Sequence, residues 1–391
     1  MLHLRILHRF FPITTIAIFI LVFISFFDSE SIEKKYHVHA GNTSLVQEKN
    51  VPTIEKEITL SAVGDVLIHS PVYEDARVGD GFDFNPMFKH VKTYLDSSTV
   101  TIANQETMIG GEAIGLSSYP SFNSPFEVGD ALKENGVDIV TLANNHTLDR
   151  GERAITNAIG HWQTIDMLYE GAYQSKEDQE KIRVLETEEG ITIASLAYTY
   201  GTNGIPVPHG KEYLVNLIDR EKMQKDIIEA KKIADVIVLS LHFGNEYEPY
   251  PNQSQKDLAK FAADLGVDVI IGHHPHVLQP IDWVEGKDGH QTLVAYSLGN
   301  FLSNQQKYDQ RVGGIFGFSI TKQIKGDEEK VEVHSPTFVP TYVHFENDYT
   351  NYRVIPMFQL SDDQLNNAQE KYEDTKQHIN QFIDEVDFLE K

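Results

Sequence analysis

Three imidazoles fall within four residues at the end of Val267-Asp-Val-Ile-Ile-Gly-His-His-Pro-His276. Neutral imidazole is the commonest metal-binding side chain. Pro275 stiffens the turn, so His274 and His276 lose less freedom on engaging one ion. A His-rich surface loop is the alternative reading, but the same pattern recurs along the chain. One apolar run ends in Gly64-Asp65, with His69 after it, and another in Asn104-Gln105-Glu106. A third leads to Asn144-Asn145-His146 with Asp149 beyond, and later ones to His242-Phe-Gly-Asn-Glu246 and Ser297-Leu-Gly-Asn300. Mixed His, Asn and carboxylate donors suit zinc, manganese or iron better than calcium. Two ions sharing a bridging carboxylate polarise a phosphoryl or carbonyl oxygen and generate hydroxide near neutral pH.

The elements that must position these clusters are short strands alternating with helices. Strand-like runs lie at 58–63, 99–103, 137–142, 191–198, 236–241, 267–271 and 292–296, with helical periodicity at about 86–96, 124–135, 151–165, 217–234 and 254–266. Ser124-Pro125 and Ser254 supply helix starts, and Gly136 and Gly266 helix ends. Alternation of this kind predicts an α/β fold. In open α/β sheets the ligand crevice lies beyond the carboxyl ends of the strands. Clusters far apart in sequence are therefore expected to converge. Two antiparallel strands near 313–321 and 331–339 complete a second sheet, and 360–391 reads as one or two acidic amphipathic helices. The Gly- and Ser-rich loop 110–124 is a candidate lid. Asp149 and Arg150 read as helix-capping and surface residues, and the acidic run 176–190 as a solvated face.

Composition narrows the chemistry. The 391 residues are 41% hydrophobic, enough for a sizeable core, and carry a net charge of −25. That charge argues against nucleic acid as a partner, because phosphates need basic patches. No cysteine is present, which excludes thiol catalysis, disulfides and cysteine-zinc sites. There is no Gly-rich Lys-Ser/Thr loop, G-x-G-x-x-G, G-x-S-x-G or H-E-x-x-H.

Residues 10–27 are an almost unbroken apolar run preceded by Arg5 and Arg9 and followed by Asp28, Glu30 and Glu33. Its 18 residues can span a bilayer with the positive flank inside. The expected layout is a cytoplasmic N-terminus (1–9), a signal-anchor transmembrane helix (10–27), a linker (28–56), a folded domain (57–345) and an acidic helical C-terminal extension (346–391). The protein is then a single-pass bacterial membrane protein with its folded part extracytoplasmic. A cleaved signal peptide is the rival reading.

The set Gly64-Asp65, Asn104-Gln105-Glu106, Ala143-Asn-Asn-His-Thr-Leu-Asp-Arg-Gly151, His242-Phe-Gly-Asn-Glu-Tyr247, Gly272-His-His-Pro-His-Val277 and Ser297-Leu-Gly-Asn-Phe301 resembles the CapA or PgsA family. These are bacterial poly-γ-glutamate capsule biosynthesis proteins, and the resemblance covers about residues 57–305. The family is similar to calcineurin-like metallophosphoesterases. It therefore implies a layered β-sandwich flanked by helices and holding two divalent transition-metal ions (manganese, zinc or iron).

The resemblance implies Asp65 and His276 as ligands of one metal, Asn145, His242 and His274 as ligands of the other, and Glu106 as the bridge. His146 would protonate a leaving group or steady the attacked oxygen, with Asn145 beside it. His69, Asn104, Asn144, Glu246, His273 and Asn300 are pocket residues without an assigned role. Two departures stand out: His69 follows Asp65 by four residues where the superfamily spaces Asp and His by two, and Glu106 replaces a bridging aspartate. Implied partners are membrane-embedded poly-γ-glutamate synthase and export subunits, with a polymer or phosphoester as substrate. Three functions remain open: a component of polymer synthesis or export with a hydrolase-like metal site, an extracytoplasmic phosphoesterase acting on a cell-wall or nucleotide phosphate, and a non-catalytic scaffold with a vestigial site.

Overall fold

Strands buried on both faces read as near-continuous apolar runs, and this chain folds such runs into two mixed sheets. The computed structural model describes residues 52–390. The larger sheet runs edge to edge Arg353–Pro356, Glu328–His344, Val312–Lys325, Ile54–Val66, Val100–Gln105, Ile139–Thr141 and Leu168–Glu170. From Ile54–Val66 onward its strands are parallel, and the strand Val312–Lys325 joins antiparallel. The second sheet runs Leu278–Glu285, Gln291–Leu298, Val269–His273, Val236–His242, Thr192–Thr199 and Arg183–Glu186, with a parallel centre and antiparallel edges.

The period-two alternation of each strand assigns its two faces. Ile58, Leu60 and Ala62 of the first sheet meet Val236, Val238, Val269 and Ile271 of the second in one buried cluster between the sheets. Val63, Val66 and Val140 point the other way, beneath the helices Glu127–Glu134 and Gly151–Thr164. Ile237, Leu239 and Ile270 likewise pack on the outer helices Arg220–Ala230 and Gln253–Asp264. The architecture is mixed α/β, two stacked sheets flanked by helices, as the sequence predicts.

Phe338 shows how tightly the middle is filled. It is fully buried between the sheets, and a Cβ added to Gly314 would sit 1.9 Å from its ring. Phe338→Ala is expected to cost about 3–5 kcal/mol in denaturant unfolding. A loss under about 1 kcal/mol would mean that the ring carries little of the packing.

Several elements differ from expectation. The helix expected at 86–96 forms as two pieces, Asn85–Phe88 and Lys92–Asp96. The run 176–190, expected to be a solvated face, contains the helix Lys176–Gln179 and the edge strand Arg183–Glu186. Leu278–Glu285 escapes the strand pattern because it contains Pro280, which a sheet tolerates at an edge, where this strand lies. Among the described residues of 346–391, one α-helix forms, Ala368–Ile379, and it packs Tyr372 and Ile379 into the inter-sheet core. Strands Arg353–Pro356 and Asp387–Phe388 both pair with Glu328–His344. Among the described residues no helix is long and apolar enough to cross a membrane; the run 10–27 lies outside them.

Candidate metal centre

The carboxyl ends of the parallel strands of both sheets open on one side, and the polar clusters gather there. Strand Ile54–Val66 delivers Asp65 through an irregularity. Its register with Val100–Gln105 shifts between Val63 and Asp65, where a Cβ on Gly64 would lie 2.0 Å from the Gly299 carbonyl oxygen. Only glycine allows that approach, and it sets Asp65 at the site. Strand Val269–His273 runs into a turn in which His274 (φ +96) and His276 (φ +57) both adopt left-handed backbone. Such residues cost on the order of 1–3 kcal/mol each and persist where the surroundings over-determine them.

Asp65, fully buried, accepts from Asn104 Nδ2 at 2.7 Å. Its Oδ2 lies 3.0 Å from His276 Nδ1 and its Oδ1 3.4 Å from His273 Nδ1. His276 Nδ1 also faces Asn300 Oδ1 at 3.1 Å. With two acceptors at Nδ1, that nitrogen carries a proton, and Nε2 is turned toward Glu106 Oε1 at 3.7 Å. His242 Nε2 approaches the same Glu106 oxygen at 3.6 Å and Asn145 Oδ1 at 2.8 Å. The His274 ring lies 4.9 Å from that of His242 and 4.5 Å from that of Tyr200, tilted against both.

The electrostatics follow from burial and from how close these groups lie to one another. Burial pushes the Glu106 carboxyl well above its usual range, and the nearby His276 charge offsets this only partly. Burial would also raise Asp65, but the His273 and His276 imidazoles outweigh it and hold that carboxyl well below normal. Burial disfavours charge on His276, yet Glu106 and then Asp65 overcome it and lift its pKa to about 9. Burial, then repulsion from His276, drops His274 to about 3; burial, then His274, lowers His242.

Both Glu106 oxygens and the Nδ1 atoms of His242 and His274 are buried with no hydrogen-bond partner. Leaving such groups unpaired costs about 1–3 kcal/mol each, so these residues fit a divalent cation well. Ligand atoms of Asp65, Glu106 and His276 lie within 4.8 Å of one another, as do those of Glu246, His274 and His276.

Other expected pocket residues serve as supports. Asn144 braces its own turn, donating to the Gln105 carbonyl at 3.1 Å and accepting from His146 N at 2.9 Å. Asn300 donates to the Gln310 carbonyl at 2.7 Å while facing His276. His273 is buried, its Nδ1 facing Asp65 Oδ1 at 3.4 Å and its Nε2 without a partner. His69 belongs to neither ligand group: its Nδ1 lies 3.0 Å from the Leu67 carbonyl, and its ring meets Phe122 edge-on. Glu246 is exposed at the mouth.

Asp149 and Arg150 take roles other than those expected of them, and Asn203 and Tyr200 lie outside the clusters that the sequence singles out. Asp149 does not cap the helix Gly151–Thr164, which has no side-chain cap. Its Oδ2 instead lies 2.7 Å from His146 Nδ1 and accepts from Phe122 N at 2.7 Å, fixing the orientation of that imidazole. The His-x-x-Asp spacing was the available signal. Arg150 bonds the Ile114 carbonyl at 2.8 Å and Ser117 Oγ at 2.5 Å, tying down the loop read as a lid. Asn203 bonds Asn145 at 3.2 Å. Tyr200, half exposed, covers His274.

Residues 59–305 match the family of bacterial capsule synthesis proteins designated PGA_cap. The chain is 32% identical over 221 residues to the PGA biosynthesis protein CapA of Bacillus subtilis (strain 168), covering 54% of each protein. It is 30% identical over 260 residues to the capsule biosynthesis protein CapA of Bacillus anthracis, covering 64% of this chain and 61% of that one. The matched stretch thus spans little more than half the length of these relatives. A Staphylococcus aureus structure described as a candidate 5′-nucleotidase, in complex with α-ketoglutarate, aligns with a TM-score of 0.41 and 15% identity, over 82% of this chain and 58% of that one. That likeness is too low to bear on activity. With the family's match spanning the whole stretch from the first site strand to Asn300, this chain belongs to the bacterial capsule synthesis protein family PGA_cap.

Proposed function

We propose that the chain is a membrane-anchored, extracytoplasmic component of poly-γ-glutamate synthesis or export, with a metal-dependent, hydrolase-like site that handles or releases the polymer. The observation that carries the metal site is Glu106, a fully buried carboxylate with neither oxygen hydrogen-bonded, set between His242 and His276. Asp65, Glu106 and His276 would hold one divalent ion, and Asn145, His242 and His274, with Glu106 shared, a second. Bound there, such ions polarise a carbonyl or phosphoryl oxygen and supply hydroxide near neutral pH.

The chain's own groups do the rest. Asp149 keeps the His146 Nδ1 proton in place, so that Nε2 is the nitrogen free to exchange a proton with a leaving group. Phe122 packs edge-on against the same ring at 4.7 Å and holds its plane. The charge of −25 would repel a polyanionic product unless bound cations offset it locally, so metal occupancy is a requirement of this reading. Membrane-embedded synthase and export subunits are the partners that fit. A phosphoesterase acting on a cell-wall or nucleotide phosphate is the second reading, favoured by the same donor set.

The test is elemental analysis of the purified full chain after chelation and reloading with manganese, zinc or iron. Close to two ions per chain are expected. Binding of none would overturn the metal reading and leave a scaffold. With a loaded protein, turnover of γ-glutamyl oligomers against phosphomonoesters separates the two activities.

A further inference from the structure

Just after the strand Thr192–Thr199 the chain makes a tight turn, Thr202-Asn203-Gly204-Ile205. Ile205 N donates to the Thr202 carbonyl at 2.9 Å, and both central residues are left-handed, Asn203 at φ +50 and Gly204 at φ +79. This is the geometry of a type I′ turn, which favours Asn-Gly. Thr202 Oγ1 closes the turn a second time on the Ile205 carbonyl at 2.6 Å, and Thr202 itself is buried. The tip is therefore well held, although Asn203 is exposed. Its side chain leans over the metal centre, where Oδ1 accepts from Asn145 Nδ2 at 3.2 Å.

We infer that Asn203 is a positioning residue that selects which end of the Asn145 amide faces the metal centre; the inference rests on the metal reading above. A carboxamide has two ends of nearly equal size, but only the oxygen can accept a hydrogen bond or ligate a cation. Asn145 is buried, and its Oδ1 lies 2.8 Å from His242 Nε2, on the side of Glu106. Turned over, it would present an NH₂ group to His242 and to any cation. The acceptor on Asn203 opposes that rotation, because it is satisfied only when Nδ2 points outward. The other end of the Asn203 amide, Nδ2, lies 3.4 Å from His146 Nδ1.

Asparagine also suits this turn for purely local reasons, so the test must separate the turn from the acceptor. Asn203→Gly keeps the left-handed conformation and removes the acceptor. Asn203→Asp tolerates the same conformation and keeps an oxygen toward Asn145 Nδ2. The measurement is calorimetric binding of manganese(II) alone to the chelator-stripped full chain, with the visible absorption spectrum of the cobalt(II)-loaded protein as a report on the ligand set.

Asn203→Gly is expected to weaken the ion held by Asn145 about tenfold, the lower end of the effect of residues that orient metal ligands. That is about 1.4 kcal/mol, which one net hydrogen bond can supply. Its cobalt spectrum should change, while the unfolding midpoint of the metal-free protein stays at that of the wild type. Asn203→Asp should bind within about threefold of the wild type and keep its spectrum. Wild-type affinity and spectrum in Asn203→Gly would overturn the proposal, as would an Asn203→Asp variant no better than Asn203→Gly. A wild-type chain that takes up no metal would instead remove the metal reading, and this inference with it.

Discussion

The double variant His274→Ala/His276→Ala should lose metal binding almost entirely. A structural zinc site with four ligands is worth about 10–16 kcal/mol, so each ligand carries roughly 3 kcal/mol. Two lost ligands then weaken binding on the order of 10⁴-fold, beyond the range in which manganese or zinc survives gel filtration. The two single variants separate ligation from stability. His274 has an unpartnered Nδ1 and a pKa near 3, so it supports no ion pair in the metal-free chain. His274→Ala should therefore reduce affinity strongly and leave metal-free stability nearly unchanged. His276 is the close partner of the buried Asp65 carboxylate. Removing one member of a buried pair costs about 3–5 kcal/mol, so His276→Ala should lower both quantities. Retention of full metal content in the double variant would sink the proposed site.

Gly272→Ala should damage fold and site together. An added Cβ would sit 2.0 Å from the Tyr296 carbonyl oxygen, inside the parallel pair formed by Val269–His273 and Gln291–Leu298. A backbone atom cannot swing away as a side chain would, so the two strands must separate. Overpacking in a filled interior costs typically about 1–3 kcal/mol, and a clash with backbone belongs at the upper end. The strain falls one residue before His273, so the turn carrying His274 and His276 moves with it. A fall of about 3 kcal/mol in unfolding free energy, together with weakened manganese binding, is expected. Wild-type stability and affinity in this variant would show that the strands part without disturbing the turn.

Much of this fold was legible because its strands are apolar on both faces and end abruptly in polar residues. The runs at 58–63 and 236–241 fall within strands and 267–271 overlaps the strand Val269–His273, and the clusters after them do converge. What escaped had weak local signals. Leu168–Glu170 is three residues long, and Arg183–Glu186 is an edge strand whose charges resemble a solvated surface. Pro280 disguised the other edge. Within the site, residue types were readable but geometry was not. Nothing in Asn-Gln-Glu says that the Glu106 carboxylate will be sealed from every hydrogen-bond donor, because that isolation is made by residues more than a hundred positions away. Asn203 is the opposite case. Its Asn-Gly dipeptide was a readable turn signal, and only the side chain's target required the three-dimensional structure.

The position of Ile54–Val66 in the larger sheet has a kinetic consequence. It is the first described strand of the chain, yet it lies in the middle of that sheet, with Ile58 paired to Ile320. During synthesis at about 5–20 residues per second, roughly 13–50 s pass before that antiparallel neighbour exists. Throughout that interval Asp65 is on a strand lacking one of its two long ladders, and His276 and Asn300 have barely been made. The candidate metal centre is thus among the last features the growing chain can assemble, so the proposed metal capture would belong to the finished molecule and not to the nascent one.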